Sequence, residues 1–311
     1  MKRKICALLA ALTVTLAAFS GCSSSSKADK SNGSGADGHS SAEASTVQEV
    51  TDSPVKATGG KVHIDDSLLG EIWITELEGV ALNKLDNKAF TYDDSFTYYS
   101  ENGKPASLEG IDVSFNNGEI DWGKVKDSGI DFVMVRLGGR GYGDSGELYT
   151  DERAAEYIKD AQSAGLKVGG YFFSQATSND EAVEEAEYAA KILGDLKLDF
   201  PLAYDWEIIK DDYARTDSVS AAQATESAKS FCDKVRELGY TPMIYSPSRE
   251  LYFKYDLARL SDIDIWYCEY SDVPTFYYEF SMWQYSDSGK VDGIDGEVDL
   301  NVCFTGVADY A

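Results

Sequence analysis

The feature that most constrains this chain is a rhythm. From residue 110 onward, short apolar or β-branched runs recur with helical stretches between them. The runs that predict strands are 110–114, 131–137, 167–174, 201–207, 241–246, 263–270, 280–286 and 298–304. Helical periodicity fills 121–128, 151–164, 180–194, 220–238 and 248–260. The 220–238 segment is the clearest helix: Ser220 and Gln223 form a capping-box pair and Gly239 supplies the stop. Its apolar stripe runs Ala224, Ala228, Phe231, Cys232, Val235, Leu238. Alternation with short connections implies parallel strands and right-handed crossovers. Eight such strands point to a closed barrel, yet about 200 residues is short for a full (β/α)8 barrel. The expected fold class is therefore α/β: an irregular TIM-like (β/α)5(β)3 barrel over residues 110–307. An open doubly wound sheet would want a Gly-rich phosphate turn after the first strand, and Ser114-Phe-Asn-Asn-Gly118 is not one.

Upstream of the barrel the chain changes character three times. Residues 62–109 predict a small β appendage, with strands near 62–64, 72–75 and 90–99 and a turn at Asn102-Gly103. Residues 22–61 are Ser, Gly, Ala, Asp and Lys with almost no large apolar side chains, so they read as a disordered tether. Residues 1–21 carry Lys2, Arg3 and Lys4, then an apolar run from Ile5 to Phe19, then Ser20-Gly21 before Cys22. That order resembles a bacterial lipoprotein signal peptide, with Cys22 lipidated as the mature N-terminus. The expected location is extracytoplasmic, at a cell membrane, on a tether of root-mean-square reach about 35 Å.

Composition then removes whole classes of chemistry. Twenty-eight Lys and Arg against 54 Asp and Glu give a formal net charge of −26, which argues against nucleic acid as a partner. The two histidines, His39 and His63, both precede the barrel, so no multi-imidazole metal site is expected. After Cys6 and Cys22, the three remaining cysteines, Cys232, Cys268 and Cys303, have no metal spacing and read as buried free thiols. Neither a cofactor nor a metal is expected, and the chain reads as a monomer.

Acid–base work therefore falls to carboxylates. In parallel barrels the working residues sit at strand C-terminal ends. Those ends offer Asp112, Asp205 with Glu207, Glu269 and Asp299. Asp205 and Glu207 are two residues apart on one strand, so both face the same side about 6.5–7 Å apart. Acids inside a run such as Pro201-Leu-Ala-Tyr-Asp-Trp-Glu207 are costly unless used or paired. Neighbouring carboxylates push their pKa values apart, leaving one ionised and one protonated near neutrality, which is what glycosidic cleavage needs. The same acids would also suit a divalent metal, with Arg136 and Arg140 to hold a phosphate substrate. Aromatic residues at this level favour a sugar cleft: Tyr171, Tyr245, Trp266 and above all Trp283 with Gln284, while Phe173 and Tyr285 also suit the core.

Gly110-Ile-Asp-Val-Ser followed by Ile120-Asp-Trp resembles the opening of glycoside hydrolase family 25, the Chalaropsis-type lysozymes. So do Asp131-Phe-Val-Met-Val-Arg, Gly165-Leu-Lys-Val-Gly-Gly-Tyr-Phe-Phe, Tyr204-Asp-Trp-Glu, Gly239-Tyr-Thr-Pro-Met-Ile-Tyr-Ser, Trp283-Gln-Tyr-Ser and Gly293-Ile-Asp-Gly-Glu-Val-Asp-Leu-Asn. The resemblance covers residues 110–305 in order. It implies a barrel of eight strands and five helices that hydrolyses the β-1,4 bond from N-acetylmuramic acid to N-acetylglucosamine in the glycan strands of peptidoglycan. Carried over by position, Glu207 would be the general acid/base, Asp205 the carboxylate that steadies the transition state, and Asp112 and Asp299 supporting acids. Where the family commonly has His or Tyr and then Gln after Asp-Val-Ser, this chain has Phe115-Asn-Asn. Where Tyr-His-Phe is common on the third strand, it has Tyr171-Phe-Phe. Those departures spare the acids and touch the substrate subsites. The competing expectations are a non-catalytic peptidoglycan-binding lipoprotein and the carboxylate–metal hydrolase.

Overall fold

The computed structural model describes residues 57–66, 68–93, 95–210, 212–308 and 310. The signal segment, Cys22 and the tether up to residue 56 lie outside the described residues.

Among the described residues, five strands precede the barrel. β1 (Ala57–Asp66) and β2 (Gly70–Leu77) form an antiparallel ribbon. β1 opens at Ala57, so the last residues of the expected tether are strand. β3 (Phe90–Tyr92), β4 (Thr97–Glu101) and β5 (Lys104–Pro105) form an antiparallel meander. Asn102 and Gly103 both have positive φ (52° and 74°), the conformation a two-residue hairpin turn demands.

The barrel comprises β6 (Ser107–Val113), β7 (Phe132–Arg140), β9 (Lys167–Ser174), β10 (Leu202–Trp206), β11 (Pro242–Pro247), β12 (Asp264–Cys268), β13 (Met282–Gly289) and β14 (Val298–Phe304). Pairing runs β6-β14-β13-β12-β11-β10-β9-β7 and closes through β6–β7. A short strand, β8 (Leu148–Thr150), pairs antiparallel with the end of β7 and has no counterpart in the sequence reading. The helices are α1 (Trp122–Asp127), α2 (Ala154–Ser163), α3 (Asn179–Leu193), α4 (Ala221–Glu237) and α5 (Ser248–Phe253). The last is a shorter helix than 248–260, because a separate 3-10 turn takes up Leu257–Arg259. On α4, Ser220 caps the Gln223 amide, but the Gln223 side chain turns to Asn179 and Ser227, so only half of the expected capping box forms.

One expectation about direction fails. β6, β7 and β9 through β13 are parallel around the barrel, but β14 is antiparallel to both β13 and β6. With only Lys290–Glu297 between β13 and β14, no crossover helix exists to bring the chain back to the starting end, so the last strand must run in reverse.

Side-chain alternation divides the barrel wall into two faces. Phe132, Met134, Ala203, Met243, Trp266, Met282 and Cys303 fill the interior, with Phe200 stacked on Phe132 and Tyr310 against Phe200 closing the far end. Outward residues such as Tyr204 and Ile244 join the larger core beneath the helices; Tyr204 packs on Phe231 of α4. Where no helix follows, on β13 and β14, the appendage supplies the cover. Phe90 meets the Trp283 ring edge-on at 5.7 Å and Tyr99 meets Phe304 at 5.4 Å. The Leu77 amide donates to the Tyr278 hydroxyl at 2.7 Å.

Under this cover lies one anomaly. Glu109, on the outward face of β6, is 4% exposed. It accepts from the Ser107 hydroxyl, while its Oε2 has no hydrogen-bond partner. Burial, reinforced by the nearby charges of Asp131 and Asp93, pushes its carboxyl up to about 8.

Candidate active site

The reversed strand helps to assemble the mouth. Because β14 is antiparallel, its beginning lies level with the ends of its neighbours, and Asp299 pairs directly with Asp112 of β6. On β10, Leu202, Tyr204 and Trp206 are outward core residues and Ala203 faces in; Asp205, and Glu207 just past the strand, share the inward parity. All four expected acids meet: the charges of Asp112 and Glu207 act on Asp205, and those of Asp112 and Glu207 act on Asp299.

Burial dominates their electrostatics. It raises Glu207 to about 7, helped by the neighbouring Glu250 charge. Asp299 reaches about 9 through burial and the Asp112 charge. Asp205 is raised well above the usual carboxylate range by burial and then by Glu207, with Arg136 acting against the rise. Both acids are pushed above their ordinary range, and the hydrogen bond between them raises Asp205 and lowers Glu207, spreading the pair's two titrations apart. Asp205 Oδ1 is buried without a hydrogen-bond partner, which adds to the cost of charging this carboxyl.

Asp112 is held differently. Its Oδ2 accepts from Gln284 Nε2 and from Asn301 Nδ2, both at 2.8 Å. Gln284 Oε1 in turn accepts from the Tyr245 hydroxyl at 2.8 Å and the Tyr270 hydroxyl at 3.2 Å. Asn301 Oδ1 accepts from the Trp266 indole at 2.8 Å. These contacts correct much of the expected sugar platform. Trp266 is 1% exposed and lies inside the barrel beneath the acids, and Tyr245 and Gln284 are buried beside it. Trp283 is fully buried on the opposite, outward face, where its indole donates to the Glu269 carbonyl. Tyr285 faces the appendage and accepts from the Thr97 amide. Trp283 and Gln284 are consecutive in a strand, so only one of them can face inward, and it is Gln284. Tyr171 is the expected ring that stays only half-buried at the mouth, where the Asp112, Asp205 and Asp299 charges reach it. Glu269 is not part of the cluster; it accepts from the Thr275 amide and hydroxyl.

Other residues at the mouth take roles that the sequence reading did not give them. Arg136 faces the acids, but its Nε and Nη2 hold Asp151 at 2.9 Å and its guanidinium lies 5.1 Å from the Phe115 ring. Arg140 is buried in a pair of ion pairs with Glu184 and Glu185 of α3. All three guanidinium nitrogens of Arg140 are engaged, whereas Arg136 combines its Asp151 pair with a charge that reaches Asp205. Glu250, in the first turn of α5, is 4% exposed and bears on Glu207. Glu250 carries no signal beyond residue type; Asn301 ends the Gly293–Asn301 run that resembles the family, and its inward position two residues from Asp299 marks it as a partner of the acids. Cys232 and Cys303 are buried free thiols, as expected; Cys268 is free but only half-buried.

Comparison with known proteins agrees with this architecture. The family model described as glycosyl hydrolases family 25 matches residues 111–294. Among curated relatives, an autolytic lysozyme of Clostridium acetobutylicum is 29% identical over 202 residues, 64% of this chain and 57% of that protein. Lysozyme M1 of Streptomyces globisporus is 24% identical over 206 residues, 63% of this chain and 67% of that protein. This chain therefore spans less than two thirds of the first relative's length. Among solved structures, the modular autolysin LytC of Streptococcus pneumoniae superposes with a TM-score of 0.56 at 24% identity, covering 79% of this chain and 57% of that one. A family 25 glycosyl hydrolase of Bacillus anthracis gives 0.51 at 19% identity, covering 68% and 94%. A family match over more than half of the chain, joined to a closed barrel with four acids at its mouth, makes this protein a member of glycosyl hydrolase family 25.

Proposed function

We propose that this chain is a peptidoglycan hydrolase, a muramidase that cuts the β-1,4 bond between N-acetylmuramic acid and N-acetylglucosamine. The observation that carries the reading is the Asp205–Glu207 pair on the inner face of β10, with Glu207 raised to about 7. A carboxyl poised there still holds its proton at neutral pH and can deliver it to the leaving oxygen, then recover it from water. Asp205 is the partner whose negative charge steadies an oxocarbenium-like centre. Burial and the Glu207 charge favour its neutral form, and Arg136 is the nearby positive charge that works toward the ionised one. Asp112 and Asp299 complete the acid cluster, and Tyr171 offers a ring at its edge. The relatives are named as lysozymes and an autolysin, in keeping with a wall glycan as substrate.

The reading includes location. Cys22, following an apolar run and Ser20-Gly21, is the lipidation site that holds a monomeric enzyme outside the cell membrane beside the wall. The test is mass spectrometry of purified peptidoglycan after digestion. The expected products carry N-acetylmuramic acid at the new reducing end, and Glu207→Gln lowers their release by about 10²–10⁴-fold with the fold intact. Equal release by the Gln variant, or N-acetylglucosamine at the new end, overturns the proposal.

A further inference from the structure

The Asp112–Asp299 pair invites a question that its position alone does not answer: which of the two holds the proton. The two carboxyls face each other across paired strands in a dry site, so they cannot both ionise cheaply. Their hydrogen-bond partners are not alike. Asp112 Oδ2 receives two amide N–H groups at 2.8 Å, from Gln284 on β13 and Asn301 on β14. An N–H donor favours a charged acceptor, and two on one oxygen favour it doubly.

The orientation of both amides is fixed from behind. The Trp266 indole can only donate, so it claims Asn301 Oδ1 and leaves Nδ2 facing Asp112. A flipped Asn301 would set two donors against each other at Trp266 and two acceptors against each other at Asp112. Gln284 Oε1 collects the Tyr245 and Tyr270 hydroxyls and lies 3.1 Å from the Cys268 thiol, so its Nε2 likewise faces Asp112.

We propose that Gln284 and Asn301 form an amide clamp that fixes Asp112 as the charged member of the pair and leaves the proton on Asp299. The clamp residues are positioning residues, which act on substrate only through Asp112. The surroundings agree. Asp299 faces the charges of Asp112, Asp287 and Glu207, all of which favour its neutral form; burial raises Asp112 as well, but the bonds from Asn301, Gln284 and Asp299 all pull it back toward charge. Tyr171 of β9 and Asp205 of β10 also face Asp112, and Arg136 of β7 is the nearby cation. Within the muramidase reading, on which this assignment rests for its meaning, the mouth presents one fixed anion and one neutral carboxyl able to donate a hydrogen bond to a sugar hydroxyl.

The assignment is tested without turnover. Carboxyl-carbon NMR of the protein labelled with ¹³C-aspartate, with resonances assigned by Asp112→Asn and Asp299→Asn, follows both groups from about pH 4 to about pH 10. Asp299 should stay neutral through pH ~7, and Asp112 should lose its proton first, at the lower pH of the two. An ionised Asp299 beside a protonated Asp112 overturns the proposal, even if the enzyme proves to be a muramidase; a failed Glu207→Gln test leaves this measurement standing. In the variants Asn301→Leu and Gln284→Met, Asp112 should titrate about one pH unit higher or more, with the acidic limb of kcat/KM moving alongside and KM little changed. Folded variants with an unmoved Asp112 refute the clamp. Should both variants unfold, the titration of the unmodified protein decides.

Discussion

Replacing Glu109 by Gln should stabilise the protein, and by an amount that depends on pH. Glu109 is 4% exposed under the appendage, and burial raises it from an ordinary 4.5 to about 8. Between those two values the folded chain binds the proton and the unfolded chain does not. Stability therefore falls as pH rises through this window, the reverse of the usual carboxylate case. At pH ~7 the ratio of the two ionisation factors is about 300, a cost of about 3 kcal/mol; at pH ~5 it is about 4, or about 1 kcal/mol. The group's own contribution thus worsens by about 2–2.5 kcal/mol over two pH units. A glutamine keeps the shape and removes the titration. The four mouth acids tilt the profile in the same direction, but they are present in both proteins and cancel in the difference. Urea denaturation of wild type and Glu109→Gln at both pH values measures it: the variant's relative stability should grow by about 2 kcal/mol from the lower pH to the higher. A difference that is the same at both pH values would refute the reasoning, because a packing change or a lost Ser107 bond does not titrate.

Two further outcomes follow from the site. Because Glu207 must carry its proton when the leaving oxygen departs, kcat/KM on peptidoglycan should decline by up to tenfold per pH unit above about 7; a flat profile through pH ~9 would contradict the acid role. Trp283→Ala should cost about 3–5 kcal/mol of stability with KM for peptidoglycan unchanged, since the ring is packed between barrel and appendage. A raised KM at wild-type stability would return Trp283 to the substrate side.

Much of the barrel was legible because its information is local. Strand and helix periods need only neighbours in sequence, and the parity that sets Asp205 beside Glu207 is contained in three consecutive residues. What could not be read depends on which side of a strand is the inside. Trp283 looked like a sugar platform because tryptophan next to a strand end often is one, but the inner face of β13 is fixed by Met282 and Gln284. Asp299 was placed at the mouth through the wrong reason, since it begins a reversed strand rather than ending a parallel one. The roles of Asn301, Glu250 and Arg136 arise from elements far apart in the chain that converge on the acids. No single segment of the sequence holds that information. β8, three residues long, falls below the length at which periodicity says anything.

The reversal of β14 also decides where attachments can be made. In an all-parallel barrel the first strand begins at one pole and the last strand ends at the other, beside the cleft. Here Phe304 pairs with Ser107, so the first and last residues of the barrel wall lie together at the pole away from the acids. The segments that leave the wall there, the appendage before Ser107 and the tail that carries Tyr310 after Phe304, therefore pack against the barrel without crossing the cleft.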